Sequence, residues 1–408
     1  MLGTMNNNGY FYTSFNPDEL NRKSFSSMIM RLFPNGSAPL YYLTGEVGKA
    51  KAVAASHGYF TKHMAYSFLT IDGAKVAGDT AFTVDSTTGI ASGMVFQIPA
   101  TRENFRVNTV TSATVVQVDR SFGRVAAGAV ADNAVCTLVG NSHVEASQRP
   151  ESRNLTSAYV PNYTIIIRNA WSISNTARAS LSEAGFNNVA ETKMDAVEFH
   201  STDIEGNLLY GQAVAPATDA TTGKPIHATQ GLVDAIYEHA AGNVQTAGAT
   251  TTYAQLVSLV EPAFQYSSNK MGNGLKERAM FCDSTAMKVI HDIGRLNGEV
   301  TQTTETTTFG LQYQSFKFYK GQLRLIEHPL LNEIAPASGI AISVDLNSMA
   351  LAYMEGRDVK KEEYDGSGDS TDSGIDASGG SFTTEFATEF RSPNTCGIIN
   401  GLTAAAVG

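Results

Sequence analysis

Residues 163–211 constrain the fold more than any other stretch of the 408-residue chain. They open on Tyr163-Thr-Ile-Ile-Ile-Arg168, a run rich in β-branched residues that favours a strand. Gly185 and Phe186 lead into Asn187 and Asn188, either of which can cap a helix. Glu191 follows Asn188 at the spacing of a capping box. No Gly or Pro then intervenes until Gly206. Ala190, Met194, Val197, Ser201, Ile204 and Leu208 recur at steps of four and three, which places them on one helical face. Leu209 broadens that face, Gly211 is a stop, and Glu191, Lys193, Asp195, Glu198 and Asp203 lie opposite. A helix over 187–211 would span roughly 36 Å at about 1.5 Å per residue. That length suits a structural beam better than a catalytic loop.

Charge and cysteine usage exclude some classes. The formal charge is −10, from 29 basic and 39 acidic side chains, which argues against a chain that neutralises DNA phosphates. Cys136, Cys282 and Cys396 are far apart and form no CxxC pair, as expected of reduced, buried thiols. No basic region followed by an apolar run marks a signal peptide at the start. No run of about 18 apolar residues predicts a membrane span.

The remaining chain reads in blocks. Residues 1–15 are polar, and Asn16-Pro17-Asp18-Glu19 starts a short helix whose apolar face is Phe25, Met28, Ile29, Leu32 and Phe33. Five short strands are expected within 78–140, at 81–84, 94–98, 104–110, 114–118 and 134–139, as a small barrel or sandwich. A helix is expected near 230–240, and another begins at Thr252 with Gln255, burying Tyr253, Leu256, Val257, Val260 and Phe264. Residues 279–282 read as a buried strand, and Asp283 caps a helix carrying Met287, Ile290, Ile293 and Leu296. Residues 309–329 give strands around Gly321, and 339–354 give two more. The charged, then Asp/Ser/Gly-rich stretch 355–381 reads as a loop. After it Phe382, Thr384, Phe386, Thr388 and Phe390 alternate with Thr383, Glu385, Ala387, Glu389 and Arg391, a two-faced strand expected beside the long helix.

No motif carries chemistry. HExxH and GxSxG are missing from the sequence. Gly45-Glu-Val-Gly48-Lys49-Ala50 fails the phosphate-loop pattern, lacking Gly at Leu43 and Ser or Thr at Ala50. His57 and His63 do not share a helix face, and Glu238-His239 has no partner in sequence. Asp203 and Glu205 are two apart on the helix, so they point to different faces and cannot act as an acid/base pair. Asp365 through Asp376 lacks the spacing and closing Glu of an EF-hand and reads as a solvated loop. Asn154 and Asn162 match glycosylation acceptors without a secretory context. Catalytic, cofactor-binding and metal residues are therefore all expected to be none.

The order of parts is an arm, a β-rich limb, a long helix, a mixed α/β region and a returning strand. This order carries specific stretches. Asn162-Tyr-Thr-Ile-Ile-Ile-Arg168 leads to Ser174-Asn-Thr176. Asp203-Ile-Glu205 precedes an apolar pair and Gly211. His-Ala-Thr-Gln-Gly-Leu stands at 227–232. Together they resemble the major capsid (major head) proteins of tailed bacteriophages, which have the Hong Kong 97-type (HK97-like) α+β fold. The resemblance implies an N-terminal arm over 1–57 and an extended-loop region over 58–168 with an inserted β-module at about 78–140. It implies a peripheral domain over 169–222 and 346–408 with its spine helix at about 187–211, and an axial domain over 223–345. It also implies a non-enzymatic subunit that assembles into hexamers and pentamers of an icosahedral shell around double-stranded DNA. The implied partners are copies of itself, scaffold, portal and decoration proteins and loosely apposed DNA, with no membrane. The implied location is the virion, with assembly in the host cytoplasm. An encapsulin-like shell or another phage structural part is the alternative in the same class. A cytosolic enzyme with an appended β-module is the alternative from another class, and converging titratable groups in a pocket would mark it.

Overall fold

The computed structural model describes residues 38–43, 48–61, 68–150, 157–179, 188–267, 276–297, 304–306, 312–334, 338–364 and 376–406. The polar arm, the helix expected from Asn16, His63, Asn154 and most of the Asp-rich stretch lie outside them. The chain forms two compact units, Phe60–Ala158 and the remainder.

The smaller unit is a six-stranded antiparallel barrel. Its strands run in the order Phe68–Ile71, Ala134–Asn141, Met94–Ile98, Glu103–Val110, Val115–Asp119, Ala81–Thr83. A bridge between Ile71 and Val84 brings the first and last together. Asp72 N–H donates to the Thr83 carbonyl at 2.9 Å and Asp85 N–H to that of Thr70 at 3.2 Å. Closure leaves no open sheet edge to pair with another chain. Alternate residues point inward, so Phe105 meets Phe82 edge-on at 5.1 Å and stacks on Phe96 at 5.8 Å. Below them Arg120 grips the buried Glu103 with two nitrogens, at 2.6 and 2.7 Å. Ser121 and Gly128 N–H groups also donate to that carboxylate, each at 3.2 Å. A buried charge so fully paired avoids the penalty of an orphaned one. The five expected strands are present, and Phe68–Ile71 is a sixth that the sequence reading did not single out.

Among the described residues the larger unit contains two large sheets and a two-stranded ribbon of Val214–Thr218 with Pro225–Ala228. In the first, Ala377–Phe390 is central: it pairs antiparallel with Ile165–Ser174 on one side. On the other it pairs with Met349–Met354 and Lys360–Tyr364. Gly48–Ala52 extends this sheet, parallel to Met349–Met354. Every residue from Ser378 to Phe390 is buried. The second sheet has seven strands in the order Val244–Thr246, Gly397–Asn400, Ala341–Val344, Lys276–Cys282, Gly321–Glu327, Gln312–Phe318, Thr304–Thr306. At Gly321 a Cβ would fall 2.3 Å from the Lys276 carbonyl oxygen and 2.6 Å from the Phe264 ring, so this close approach requires glycine.

The long helix is Asn188–Tyr210, close to the expected limits. One core joins it to both sheets: Ile204, Leu208 and Leu209 pack with Leu232 and Ile236, with Phe281 and Ile342, and with Leu351, Phe386 and Phe390. A second core lies around Phe264, Ile290, Ile293, Phe316 and Leu325. The Thr252 capping box forms as expected. Gln255 N–H donates to the Thr252 hydroxyl at 3.4 Å, and Thr252 N–H to the Gln255 side chain at 2.9 Å.

Four expectations need correction. The first half of the helix does not bury Ala190, Met194 and Val197; Met194 is 56% and Val197 50% exposed. Ala196 and His200 face the sheet instead, because a small side chain and a hydrogen-bonding ring suit the Thr384 surface there. The capped helix Ser284–Asn297 buries Ala286, Val289, Ile290 and Ile293, while Leu296 is exposed. The stretch 355–381 is not all loop: Lys360–Tyr364 is a strand, and the central strand begins at Ala377. The first strand runs over Ile165–Ser174, later than 163–168, with Tyr163 only bridged to Ser56.

Candidate functional site

Buried polar groups in the larger unit gather where the long helix meets the two sheets. Glu205 is fully buried at the centre. It accepts from the backbone N–H of Leu40 at 2.8 Å and of Tyr41 at 2.7 Å, in the short helix Pro39–Leu43. Its Oε1 also lies 2.5 Å from Nε2 of His328, which is itself fully buried. His328 Nδ1 accepts from Leu330 N–H at 3.2 Å, so the proton on Nε2 is the one donated to Glu205. The Phe281 ring stands edge-on to this imidazole at 5.6 Å. One carboxylate thus ties the start of the described chain, the long helix and the end of strand Gly321–Glu327 together.

A second knot surrounds Asn162. Its Oδ1 accepts from Gln230 N–H at 3.0 Å and Tyr163 N–H at 2.8 Å. Its Nδ2 donates to the Thr388 carbonyl at 2.7 Å and reaches the Thr229 hydroxyl at 3.3 Å. Thr388 N–H donates to the Thr229 hydroxyl at 3.0 Å. The stretch 227–232 therefore serves to fasten the central strand. The glycosylation match at Asn162 is buried and fully hydrogen-bonded.

The other face of the central strand carries carboxylates. Glu389 meets His57 Nε2 at 2.8 Å and Arg391 Nε at 2.8 Å. Burial pushes its carboxyl up, but bonds from His57 and Arg391 outweigh this and hold it below the ordinary 4.5. Asp283 caps its helix through Ala286 N–H at 2.6 Å and also accepts from Gly339 N–H at 2.8 Å. Asp345 pairs with Arg278 at 3.2 Å in the interior.

None of this resembles a reaction centre. Each of these carboxylates and imidazoles bonds to another element and holds it in place. Burial raises the Cys136 thiol to about 12 and the Cys396 thiol to about 11, so neither is a ready nucleophile. Among the described residues no group of three or more His, Cys, Asp or Glu is placed to hold a metal ion. Gly48-Lys49-Ala50 forms part of a strand, away from any phosphate-loop geometry. Asp203 and Glu205 diverge as expected, Asp203 being exposed and accepting from Asn169 at 2.7 Å. His239 lies 3.6 Å from Glu238, half-exposed. The sequence reading missed Glu205 and His328 as a pair; 123 residues separate them and no local signal links them.

His200 provides a pH test. Its ring lies 2.8 Å from Asn169 Oδ1 and 2.7 Å from Thr384 Oγ1. Burial lowers its pKa below the ordinary 6.5, against the opposing pull of Asp203. The unfolded chain therefore takes up this proton first as pH falls. The stability that a neutral His200 contributes is complete above about pH 6.5 and is lost as pH falls through the lower folded value. The urea midpoint should decline over that window, and His200→Gln should flatten the decline. Equal slopes in the two proteins would show that the ring does not titrate on unfolding.

A family profile described as SU10 major capsid protein matches residues 4–403. The major capsid protein of Pseudomonas phage PaMx41 is 41% identical over 97% of this chain and 96% of its own. Among solved structures, that of Gordonia phage Cozz is 12% identical, covers 96% of this chain and 93% of its own, and gives a TM-score of 0.46. The capsid of Myoviridae phage XM1 is 10% identical, covers 97% and 99%, and gives 0.45. Relationship rests on the two sequence matches, which span nearly the whole chain. With buried polar groups that bind element to element and a match of this extent, the chain belongs to the SU10 major capsid protein family, whose members are structural proteins and not enzymes.

Proposed function

We propose that this chain is the repeating subunit of an icosahedral phage head of the Hong Kong 97 type, assembling into hexamers and pentamers around double-stranded DNA. The observation that carries the reading is the family match over residues 4–403. Scaffold, portal and decoration proteins are the further partners, and assembly takes place in the host cytoplasm. The −10 charge suits a wall against which DNA packs without adhering.

The domain limits follow the same reading: arm 1–57, extended loop 58–168, peripheral domain 169–222 with 346–408, and axial domain 223–345. The compact unit Phe60–Ala158 supports the second of these. Gly397–Asn400 lies within the peripheral limits yet hydrogen-bonds into the seven-stranded sheet, so the two domains share a seam there. Obligate interfaces between copies commonly bury roughly 2,000–5,000 Å².

The test is negative-stain electron microscopy and light scattering of the concentrated full chain, alone and coexpressed with the neighbouring head genes of its phage. Closed shells, or rings of five and six, are expected. Persistent monomers in both preparations would overturn the reading. Deleting residues 1–35 should leave a folded subunit that fails to close shells; normal particles would make the arm dispensable.

A further inference from the structure

We propose that the groove between helix Ser284–Asn297 and the last described segment receives an extended acidic segment of a second copy of this chain, added as a strand along Ala405. The choice of a second copy rests on the self-assembly proposed above. The groove has a volume of about 590 Å³. Lys288, Asp292, Arg295 and Leu296 stand on its helical wall, and Thr403 and Ala405 on the wall opposite.

The second wall is an unfinished strand edge. Ala405 bridges to Thr251 in parallel register. Thr251 N–H donates to the Ala404 carbonyl and Ala406 N–H to the Thr251 carbonyl, each at 2.9 Å. Successive residues of an extended chain turn their backbone polar groups to opposite edges, so the N–H and C=O of Ala405 point away from Thr251. Among the described residues neither has a hydrogen-bond partner. Such an edge is a template for another extended chain, whose main-chain bonds supply affinity.

The helical wall selects charge. Lys288, Asp292 and Arg295 follow at steps of four and three and share one face, while Ala286, Ile290 and Ile293 hold the core. Arg295 lies 3.7 Å from Asp292, and the two balance each other. Lys288 is exposed and makes no ion pair or hydrogen bond among the described residues. The groove therefore presents one unopposed positive charge, beside an unpaired backbone edge and the exposed Leu296. A carboxylate on the incoming strand meets Lys288 while its backbone pairs with Ala405.

Charge and symmetry point to the occupant. With 39 acidic against 29 basic side chains, acidic segments are what a neighbouring copy has in excess. A groove on one copy filled by a different surface of the next is a heterologous contact, the kind that closes rings.

The test places a photo-cross-linker at the rim, as Leu296→p-benzoylphenylalanine. The full chain carrying it is irradiated, both alone and coexpressed with the neighbouring head genes, and run on a denaturing gel. A covalent dimer is expected, with the cross-link mapped by mass spectrometry to an Asp- or Glu-containing segment of the second chain. Lys288→Glu should cut the dimer yield about tenfold through like-charge contact. Ala405→Pro should do the same with an unchanged urea midpoint, because the N–H it removes has no partner within the subunit; if that midpoint falls, Lys288→Glu decides alone. Monomer only in both preparations, a cross-link to another head protein, or a dimer insensitive to Lys288→Glu would overturn the proposal. Particles without the dimer sink this proposal alone, and the dimer without particles sinks the shell reading alone.

Discussion

Glu205→Ala is expected to destabilise the larger unit by about 3–5 kcal/mol, because it leaves several buried donors unpaired at about 1–3 kcal/mol each. The carboxylate satisfies three donors: two backbone N–H groups of Pro39–Leu43 and the imidazole of His328. Alanine leaves all three in a fully buried site. It also opens a void where the carboxylate meets Leu40 and His328, so packing loss adds to desolvation. Glu205→Gln keeps one acceptor oxygen but turns an N–H₂ towards the remaining donors, and should fall between the two. Urea unfolding followed by circular dichroism measures the series. A loss below about 1 kcal/mol would mean that water or a shift of Pro39–Leu43 replaces the carboxylate.

Phe105→Ala is expected to cost the barrel about 3–5 kcal/mol. Phe105 is fully buried between Phe82 and Phe96. The unit has a single small core, built from Leu69, Ile71, Phe82, Phe96, Phe105, Val107 and their neighbours. Against a typical domain stability of about 5–15 kcal/mol, that loss leaves it marginal. Hydrogen exchange of the full chain gives the readout. Segments within 68–141 should lose protection while 377–390 keep theirs, because the two units have separate cores. Loss of protection in both would show that they unfold as one.

The parts legible in sequence are those governed by local rules. The long helix was delimited by its run without Gly or Pro, and the barrel strands by β-branched runs between turn residues. The Thr252 cap needed only Gln255 three residues on. What sequence concealed was tertiary. Lys360–Tyr364 is a charged strand, and its Lys and Glu residues disguise it as loop while marking a sheet edge. Ser378, Gly379 and Gly380 look like linker, yet a Cβ at Gly380 would fall 2.5 Å from the Glu362 carbonyl oxygen and 2.8 Å from Trp171 Nε1. Glycine there reflects close packing inside a sheet. The helix face shifted because His200 found partners at Asn169 and Thr384, which periodicity cannot foresee. The buried ties of Glu205 and Asn162 join residues more than 60 positions apart, where no spacing rule applies.

The position of the central strand sets a clock on biosynthesis. Ile165 pairs with Phe386, and hydrogen bonds reach from Thr164 to Glu385 across 221 positions. At about 5–20 residues per second, the ribosome delivers the later strand roughly 11–44 s after the earlier one. During that interval Ile165–Ser174 lacks its neighbour, and Met349–Met354 waits beside an empty place. The nascent chain thus carries an unfinished sheet for most of its synthesis, a period in which a chaperone would be of most use. Chains released early, before residue 377, could not complete this sheet, and defective copies would be distinguished from sound ones before any shell is built.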